Sequence, residues 1–340
     1  MAVILGFLLS VIGTGLSIKF AFKMKALDCP NEIKIHTSPM PAFGGLGILF
    51  GSLFSSLLVM YSGGHSCSPM LPMVIGALVI FIIGFVDDIR AFTPACKLGG
   101  QIVAALIYVV FSLSLSPRPI THIAAWSIGI ELCWVTLLTV GLSNSFNLFD
   151  GMDGMLAGTT AIMAVAGSAI ARLWGNQCWS IILLAVAGSC MGFLVFNVPP
   201  AKTFMGDCGS LYLGYVVGIA VYQLAFHSAM PTVHVFAWLT VLALPVCDTA
   251  FAIIRRIGSP AGLFSGDRRH TYDMLCEHLA GNVLKTALVV WCGAAVLAVL
   301  GIWIAHMVGR FWLPAIITAV TYLALFYVGG RLGCLHASVE

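Results

Sequence analysis

The stretch MLPMVIGALVIFIIGFVDD, residues 70–88, decides the fold class, because an uncharged apolar run leads directly into two adjacent aspartates. A helix that crosses a bilayer needs about 20 predominantly apolar residues. The stretch therefore predicts a membrane-spanning helix that ends at Asp87 and Asp88, at the boundary between lipid and water.

The rest of the chain has the same apolar character. Of its 340 residues, 60% are hydrophobic and only 9% are charged, and the mean hydropathy is +1.03. A soluble domain carries about 25% charged residues, so this chain could not cover a surface that faces water. The net charge of +3 is too small to indicate a nucleic-acid-binding protein, and the 11 cysteines lack the spacing of zinc ligands.

We predict an all-α fold, a polytopic membrane bundle of about eleven transmembrane helices that forms one domain over residues 1–340. The first segment is followed by lysines rather than preceded by them, so we expect a retained helix and not a cleaved signal. The fifth contains Glu131, which we expect to be buried and paired or to face a cavity. The predicted segments lie near residues 2–20, 43–61, 70–86, 99–116, 124–143, 154–172, 179–197, 208–226, 234–254, 286–306 and 311–329.

The basic residues are unevenly divided between the two sides of this predicted bundle. Most of the 16 lysines and arginines follow odd-numbered helices, and the opposite side has only Arg118, Arg172 and Arg310. The positive-inside rule then predicts an external N-terminus and a cytoplasmic C-terminus in the plasma (inner) membrane. The acids gather on the same side, which catalysis or metal binding would explain. The expected cytoplasmic loops lie near residues 21–42, 87–98, 144–153, 198–207 and 255–285.

Asp87 and Asp88 form the first candidate site. Adjacent carboxylates at a membrane boundary repel each other, so they need a nearby cation or one of them keeps a proton. A solvated helix end is the plainer alternative. Lys97 follows in the same loop, and a lysine opposite such a pair suits a phosphate group.

The next loop repeats amide and carboxyl side chains at intervals of three. One face of a helical turn would carry Asn144, Asn147 and Asp150, and glycines follow at Gly151 and Gly154. Oxygen ligands of this kind suit a hard cation such as Mg²⁺, although a capped helix start explains part of the pattern.

Asp207 stands between glycines, directly before another predicted helix. A lone aspartate in that position is usually an N-cap. Because two other acidic loops are expected on the same side, we favour a metal ligand at Asp207.

The last predicted cytoplasmic loop is rich in arginine. Arg268, Arg269 and His270 suit an anionic substrate that carries phosphate. Arg255 and Arg256 could equally reflect the positive-inside rule alone.

Together these motifs resemble the polyprenyl-phosphate N-acetylhexosamine-1-phosphate transferases of glycosyltransferase family 4. The resemblance depends on Asp87-Asp88, on NxxNxxDGxDG over residues 144–154 and on FMGDxGS over residues 204–210, in the family's order. The first loop is similar to the branch that starts O-antigen and teichoic-acid synthesis, with Ile33 where that branch has arginine. The peptidoglycan precursor translocase has a different first loop, so we rank that branch lower.

The resemblance implies a reaction between a UDP-N-acetylhexosamine and polyprenyl (undecaprenyl) phosphate. The products are polyprenyl-diphospho-N-acetylhexosamine and UMP, in the first membrane step of a cell-envelope glycan. The implied cofactor is Mg²⁺, with Mn²⁺ as an alternative; no nucleic acid is implied, and a homodimer is left open. The implied roles are metal ligands at Asp207 and Asn147, catalytic groups at Asp87, Asp88 and Lys97, and substrate contacts at Lys34, His36, Asn144, Asp150, Asp153, Arg268, Arg269 and His270.

One loop departs from the family. The branch ends its last cytoplasmic loop in D-R-x-H-x-H-H, whereas Tyr272 and Asp273 stand here in place of the final two histidines. That loop helps to choose the sugar in the family, so the identity of the N-acetylhexosamine stays open. We expect Tyr272 and Asp273 to face away from the diphosphate or to contact sugar hydroxyls.

Two other function classes remain to be weighed. Intramembrane carboxylates would motivate a transporter that binds a divalent cation, but these acids are expected in loops and no inverted repeat is visible. The missing histidines would motivate an inactive scaffold, but the acids are intact. Metal-dependent release of UMP from a UDP-sugar would distinguish the enzyme from both.

Overall fold

The computed structural model describes residues 1–24, 27–28, 39–66, 70–115, 122–226, 231–257 and 268–335. Over these residues the chain is almost entirely helical, and its two short strands, β1 (Leu27–Asp28) and β2 (Met40–Pro41), pair antiparallel. The predicted all-α membrane bundle is confirmed. Ten of the described helices are long and apolar enough to cross a membrane, and a bent pair raises that number to eleven if it counts as one span.

The helices follow the predicted apolar segments closely, because each is an uninterrupted run that only a membrane or a core can solvate. A short π-helical turn, Tyr222–Phe226, extends the eighth helix. The helices are α1 (Ala2–Met24), α2 (Gly45–Ser62), α3 (Leu71–Ile89), α4 (Pro94–Leu115), α5 (His122–Phe149), α6 (Met155–Leu173), α7 (Gln177–Asn197), α8 (Gly206–Val221), α9 (Pro231–Val241), α10 (Ala243–Ile257), α11 (Thr271–His278), α12 (Val283–Ala305) and α13 (Trp312–Leu332).

The centre of the bundle is formed by α6, α7 and α8, which are the most enclosed of the spans, whereas α1 and α13 lie at the periphery. On α8 almost every side chain is buried, including the aromatic rings of Tyr212 and Tyr215. The peripheral helices instead expose large apolar side chains, as expected of surfaces that contact lipid.

The ninth predicted span is not one continuous helix, and in this respect the sequence prediction was wrong. The chain breaks at Leu242, and the segments Thr232–Val241 and Ala243–Ile257 are bent by 74° from each other. Pro245 explains the break, because a proline lacks the N–H of a helical bond and its ring clashes with the carbonyl four residues earlier, at Val241. The bend gives α10 a different direction from α9.

Glu131 is buried in α5, as expected, with 5% of its surface exposed. It interacts electrostatically with the hydroxyl of Tyr108, which also accepts a hydrogen bond from Gln223. The charged side chain therefore lies within a polar cluster and not against lipid.

Candidate active site

The candidate site lies at one end of the bundle, where α3 ends and where α4 and α8 begin. The backbones of α3 and α8 meet closely there, because a Cβ added to Gly84 would lie 2.6 Å from backbone atoms of Asp207 and Cys208. Only glycine at position 84 permits this approach. It brings the aspartates that end α3 next to the aspartate that begins α8.

Lys97 connects two of the predicted catalytic acids. Its ammonium lies 2.7 Å from Asp87 Oδ2 and also forms an ion pair with Asp207 Oδ2. The other oxygen of Asp87 accepts the backbone N–H of Phe92 at 2.7 Å, which ties the turn after α3 to the helix end. The sequence prediction that Lys97 faces the acids agrees with this arrangement.

Asp88 has different partners from its neighbour Asp87. Its Oδ1 accepts the backbone N–H of Asp207 at 2.7 Å, and its Oδ2 accepts that of Cys208 at 3.1 Å. These are two of the first N–H groups of α8, which have no partner within their own helix. Asp88 thus caps α8 from a different helix, where the helix dipole favours a negative charge.

Asn147 lies on the other side of Asp207. Its amide donates to Asp207 Oδ1 at 2.9 Å and to the Ser210 hydroxyl at 3.0 Å. One turn earlier on α5, Asn144 donates to Gln101 Oε1 at 2.6 Å, which joins α5 to α4. The two asparagines therefore share a helix face, as the spacing predicted.

Asp150 and Asp153 follow the end of α5, so the prediction that one helical face also carries Asp150 was wrong. Burial raises the pKa of Asp150 well above its usual range, and the nearby carboxylates of Asp207, Asp88 and Asp153 raise it further. Asp153 accepts the backbone N–H of Ala201 at 2.9 Å, which links this loop to the next. The site thus holds more acidic groups than Lys97 can neutralise.

Side chains at the start of α11 form a second cluster with Asp248 of α10. His270 Nδ1 lies 2.7 Å from Asp248 Oδ2, and the His270 ring stacks in parallel on Tyr272 at 5.3 Å between centroids. The Tyr272 hydroxyl donates to the backbone carbonyl of Leu148 at 2.9 Å, so this cluster contacts the last turn of α5. Burial, with lesser contributions from nearby carboxylates, raises the pKa of Tyr272 well above its usual range.

Asp273 is a structural residue of this cluster. Its Oδ2 accepts the backbone N–H of His270 at 3.3 Å at the start of α11, and its Oδ1 lies 3.8 Å from the Arg268 guanidinium. Burial raises the pKa of Asp273, and His270 and Arg268 oppose that rise. Arg268 is exposed and Arg269 half-buried beside it, whereas Lys34 and His36 lie outside the described residues.

One functional candidate was missed at the level of sequence. Asp248 was noticed only by its position in an apolar segment, although a carboxylate in such a segment signals a buried partner. For Arg255, which the sequence left open between a substrate contact and the positive-inside rule, the guanidinium donates to the carbonyl of Cys334 at 2.6 Å, just beyond α13. That contact explains its burial without a substrate.

The donors of this site fit a divalent cation that is shared with a substrate. Asp87, Asp207 and Asp150 offer hard carboxylate oxygens, and Asn147 would add its amide oxygen after rotation of the amide. Among the residues the structure describes, no three acidic, histidine or cysteine side chains already converge as a complete ligand set. Mg²⁺ is commonly held by one or two carboxylates together with substrate phosphates. An incomplete set of protein ligands is therefore compatible with a magnesium site at these carboxylates.

Fold and site together define a class: an integral membrane protein in which acidic and basic side chains are in contact at one end of the helical bundle. The sequence profile of glycosyl transferase family 4 matches residues 70–225. The chain belongs to this family.

Relatives cover most of the chain. A probable undecaprenyl-phosphate N-acetylglucosaminyl 1-phosphate transferase of Bacillus subtilis is 32% identical over 286 residues, which are 81% of this chain and 76% of that protein. A decaprenyl-phosphate N-acetylglucosaminephosphotransferase of Mycobacterium leprae is 31% identical over 79% of this chain and 75% of its own. A phospho-N-acetylmuramoyl-pentapeptide-transferase of Halalkalibacterium halodurans is 35% identical over 63% of this chain and 71% of its own.

Proposed function

We propose that this protein is a phosphoglycosyl transferase that moves N-acetylhexosamine 1-phosphate from a UDP-sugar to a polyprenyl phosphate and releases UMP. The observation that carries the proposal is the joint contact of Lys97 with Asp87 and Asp207 at one end of the helical bundle, in a chain whose relatives are transferases of this kind. The products belong to the first membrane step of a cell-envelope glycan.

The reaction requires that two anionic phosphates meet, so charge must be offset at the point of contact. A phosphate oxygen of the lipid attacks the β-phosphorus of the UDP-sugar, the bond from that phosphorus to the bridging oxygen breaks, and UMP leaves. Mg²⁺ bound by Asp207, Asn147 and substrate oxygens would supply Lewis-acid stabilisation of the developing charge. Lys97 holds a second positive charge next to the same acids and can contact a phosphate oxygen.

The remaining residues orient the reactants. Asp87 holds Lys97 through its ion pair, and Asp88 holds the first turn of α8, so that Asp207 is presented at a fixed angle. Asn144 on α5 and Asp150 just after the end of α5 would contact the nucleotide-sugar. Arg269 and His270 would approach its sugar or diphosphate from the start of α11.

The charge distribution also supports a membrane orientation. The lysine and arginine bias favours a cytoplasmic position for this end of the bundle, where UDP-sugars are available. The same carboxylates lie at helix ends rather than halfway along the spans, so a cation transporter is not favoured.

The test uses the purified full-length protein with polyprenyl phosphate, MgCl₂ and a panel of UDP-sugars, with UMP and lipid-linked sugar both quantified. We expect UMP and polyprenyl-diphospho-sugar in equal amounts for at least one UDP-N-acetylhexosamine, and neither product when the lipid phosphate is omitted. Folded protein that releases no UMP with any sugar, or releases it equally without lipid phosphate, would refute the proposal.

A further inference from the structure

Asp248 lies on α10 with only 1% of its surface exposed, and both its carboxylate oxygens are used. Oδ2 lies 2.7 Å from His270 Nδ1. Oδ1 accepts the backbone N–H of Thr271 at 2.6 Å and the Thr271 hydroxyl at 2.6 Å. A carboxylate that is almost fully buried is costly unless hydrogen-bond donors surround it, so the three donors to Asp248 indicate a specific structural or functional role.

The donors determine where His270 keeps its proton. A backbone N–H can only donate and a carboxylate can only accept, so Asp248 acts as the acceptor for this whole turn. The ring nitrogen that faces Asp248 must then carry hydrogen, which fixes the proton of neutral His270 on Nδ1. Nε2 lies on the opposite edge of the ring, directed away from Asp248.

A second support fixes the plane of the ring. His270 and Tyr272 stack with an interplanar angle of 3°, and Tyr272 packs edge-on against Phe149 at 5.8 Å. Because the Tyr272 hydroxyl donates to the Leu148 carbonyl, the position of the His270 ring is tied to the last turn of α5, directly before Asp150. The bond from Asp248 sets the rotation of the ring within that plane.

We propose that Asp248 is a positioning residue, which acts through His270 by holding its proton on Nδ1 and presenting Nε2 to the phosphate-bearing substrate. The inference rests on the proposed transferase function for what Nε2 contacts. The same arrangement, in which a carboxylate orients the second nitrogen of a working histidine, recurs at metal and catalytic sites.

A double-mutant cycle tests this relationship. Asp248→Asn keeps the volume but presents an amide, and we expect it to lower kcat/KM for UDP-sugar by about 10–100-fold. In the His270→Ala background the same change should cost less than about twofold, because a residue that acts through His270 has no effect once the ring is gone. Equal losses in both backgrounds, or a single variant within twofold of wild type, would overturn the proposal.

Thr271→Val serves as the matched control, since it removes a hydroxyl bond to the same carboxylate and leaves the Asp248–His270 contact in place. We expect its kcat/KM to stay within about threefold of wild type, as for loss of one neutral hydrogen bond. A loss as large as that of Asp248→Asn would assign the effect to the stability of the turn and overturn the proposal. Melting temperatures of all variants are recorded alongside.

A spectroscopic measurement decides the geometry independently of turnover. Wild-type protein labelled with ¹⁵N-histidine is examined by solid-state NMR at alkaline pH, and the His270 signals are identified by their loss in His270→Ala. We expect hydrogen on Nδ1, and a neutral ring protonated on Nε2 would contradict the inference. The NMR result does not depend on UMP release. Failure of the Asp248 proposal can therefore be distinguished from failure of the proposed transferase function.

Discussion

The carboxylate of Asp88 accepts the backbone N–H of Asp207 at 2.7 Å, although 119 residues separate the two in sequence. Asp88 therefore supports the first turn of α8, whereas Asp87, its direct neighbour, pairs with Lys97. Of the two adjacent acids, Asp88 therefore positions a helix and Asp87 positions the ammonium group of Lys97.

This division predicts different outcomes for two isosteric changes. Asp88→Asn removes one of two acceptors and turns an amide N–H₂ towards a backbone donor, so we expect a loss of about 1–3 kcal/mol in unfolding free energy together with a loss of activity. Asp87→Asn should lower activity with a smaller change in melting temperature. Thermal unfolding in detergent and UMP release, measured on both variants, check the prediction; equal melting temperatures would contradict it.

Lys97 and a divalent cation compete for the same oxygens when no substrate is bound. Lys97→Met should therefore strengthen binding of Mn²⁺ to the substrate-free protein by at least about 1 kcal/mol, while turnover falls because a phosphate contact is lost. Electron paramagnetic resonance titration with Mn²⁺ measures the first effect. The control is Lys202→Met, an exposed lysine of another loop, for which we expect no change; weaker Mn²⁺ binding in Lys97→Met would show that the lysine does not compete.

Gly151 has no room for a side chain, since a Cβ there would lie 2.0 Å from the hydroxyl oxygen of Tyr272. Gly151→Ala should displace Tyr272 from its bond with Leu148 and cost about 1–3 kcal/mol in stability. Gly141→Ala is the matched control, because nothing lies within 4 Å of its added Cβ and alanine is the better helix former. Thermal unfolding of the two variants should move in opposite directions, and a parallel shift would refute the steric argument.

Asp273 has the position of a helix-capping residue in α11, because its carboxylate accepts the backbone N–H of His270. Asp273→Ala should cost about 1 kcal/mol in stability and leave phosphoryl transfer intact, although the ranking of UDP-sugars can change through the adjacent His270. Steady-state rates over the sugar panel measure this. Complete loss of turnover in a folded Asp273→Ala protein would place the carboxylate in the catalytic machinery instead.

Sequence patterns predicted which charged and amide side chains lie at the same end of the bundle. The convergence of Asp87, Lys97, Asn147 and Asp207 followed from their places at the ends of predicted spans, because antiparallel helices bring alternate loops to the same side. The apolar runs likewise predicted the bundle itself.

Contacts between distant helices could not be predicted in this way. The capping of α8 by Asp88 depends on the close approach at Gly84, which no local pattern encodes. The break at Leu242 was hidden because Pro245 lies inside a segment that is hydrophobic enough to be predicted as one span. In the sequence, Asp248 is a single acidic residue outside any recognisable motif, and only the fold shows that His270 is its partner.

The most direct test of the account compares UMP release by wild type and Asp207→Asn across a titration of MgCl₂, with Glu277→Gln as a control that neutralises an exposed acid. The account predicts Mg²⁺-dependent turnover in wild type and in Glu277→Gln. It also predicts at least about a 100-fold loss in Asp207→Asn at every Mg²⁺ concentration, because a hard anionic ligand next to Lys97 is removed. Near-normal turnover of Asp207→Asn at ordinary Mg²⁺ concentrations would contradict it.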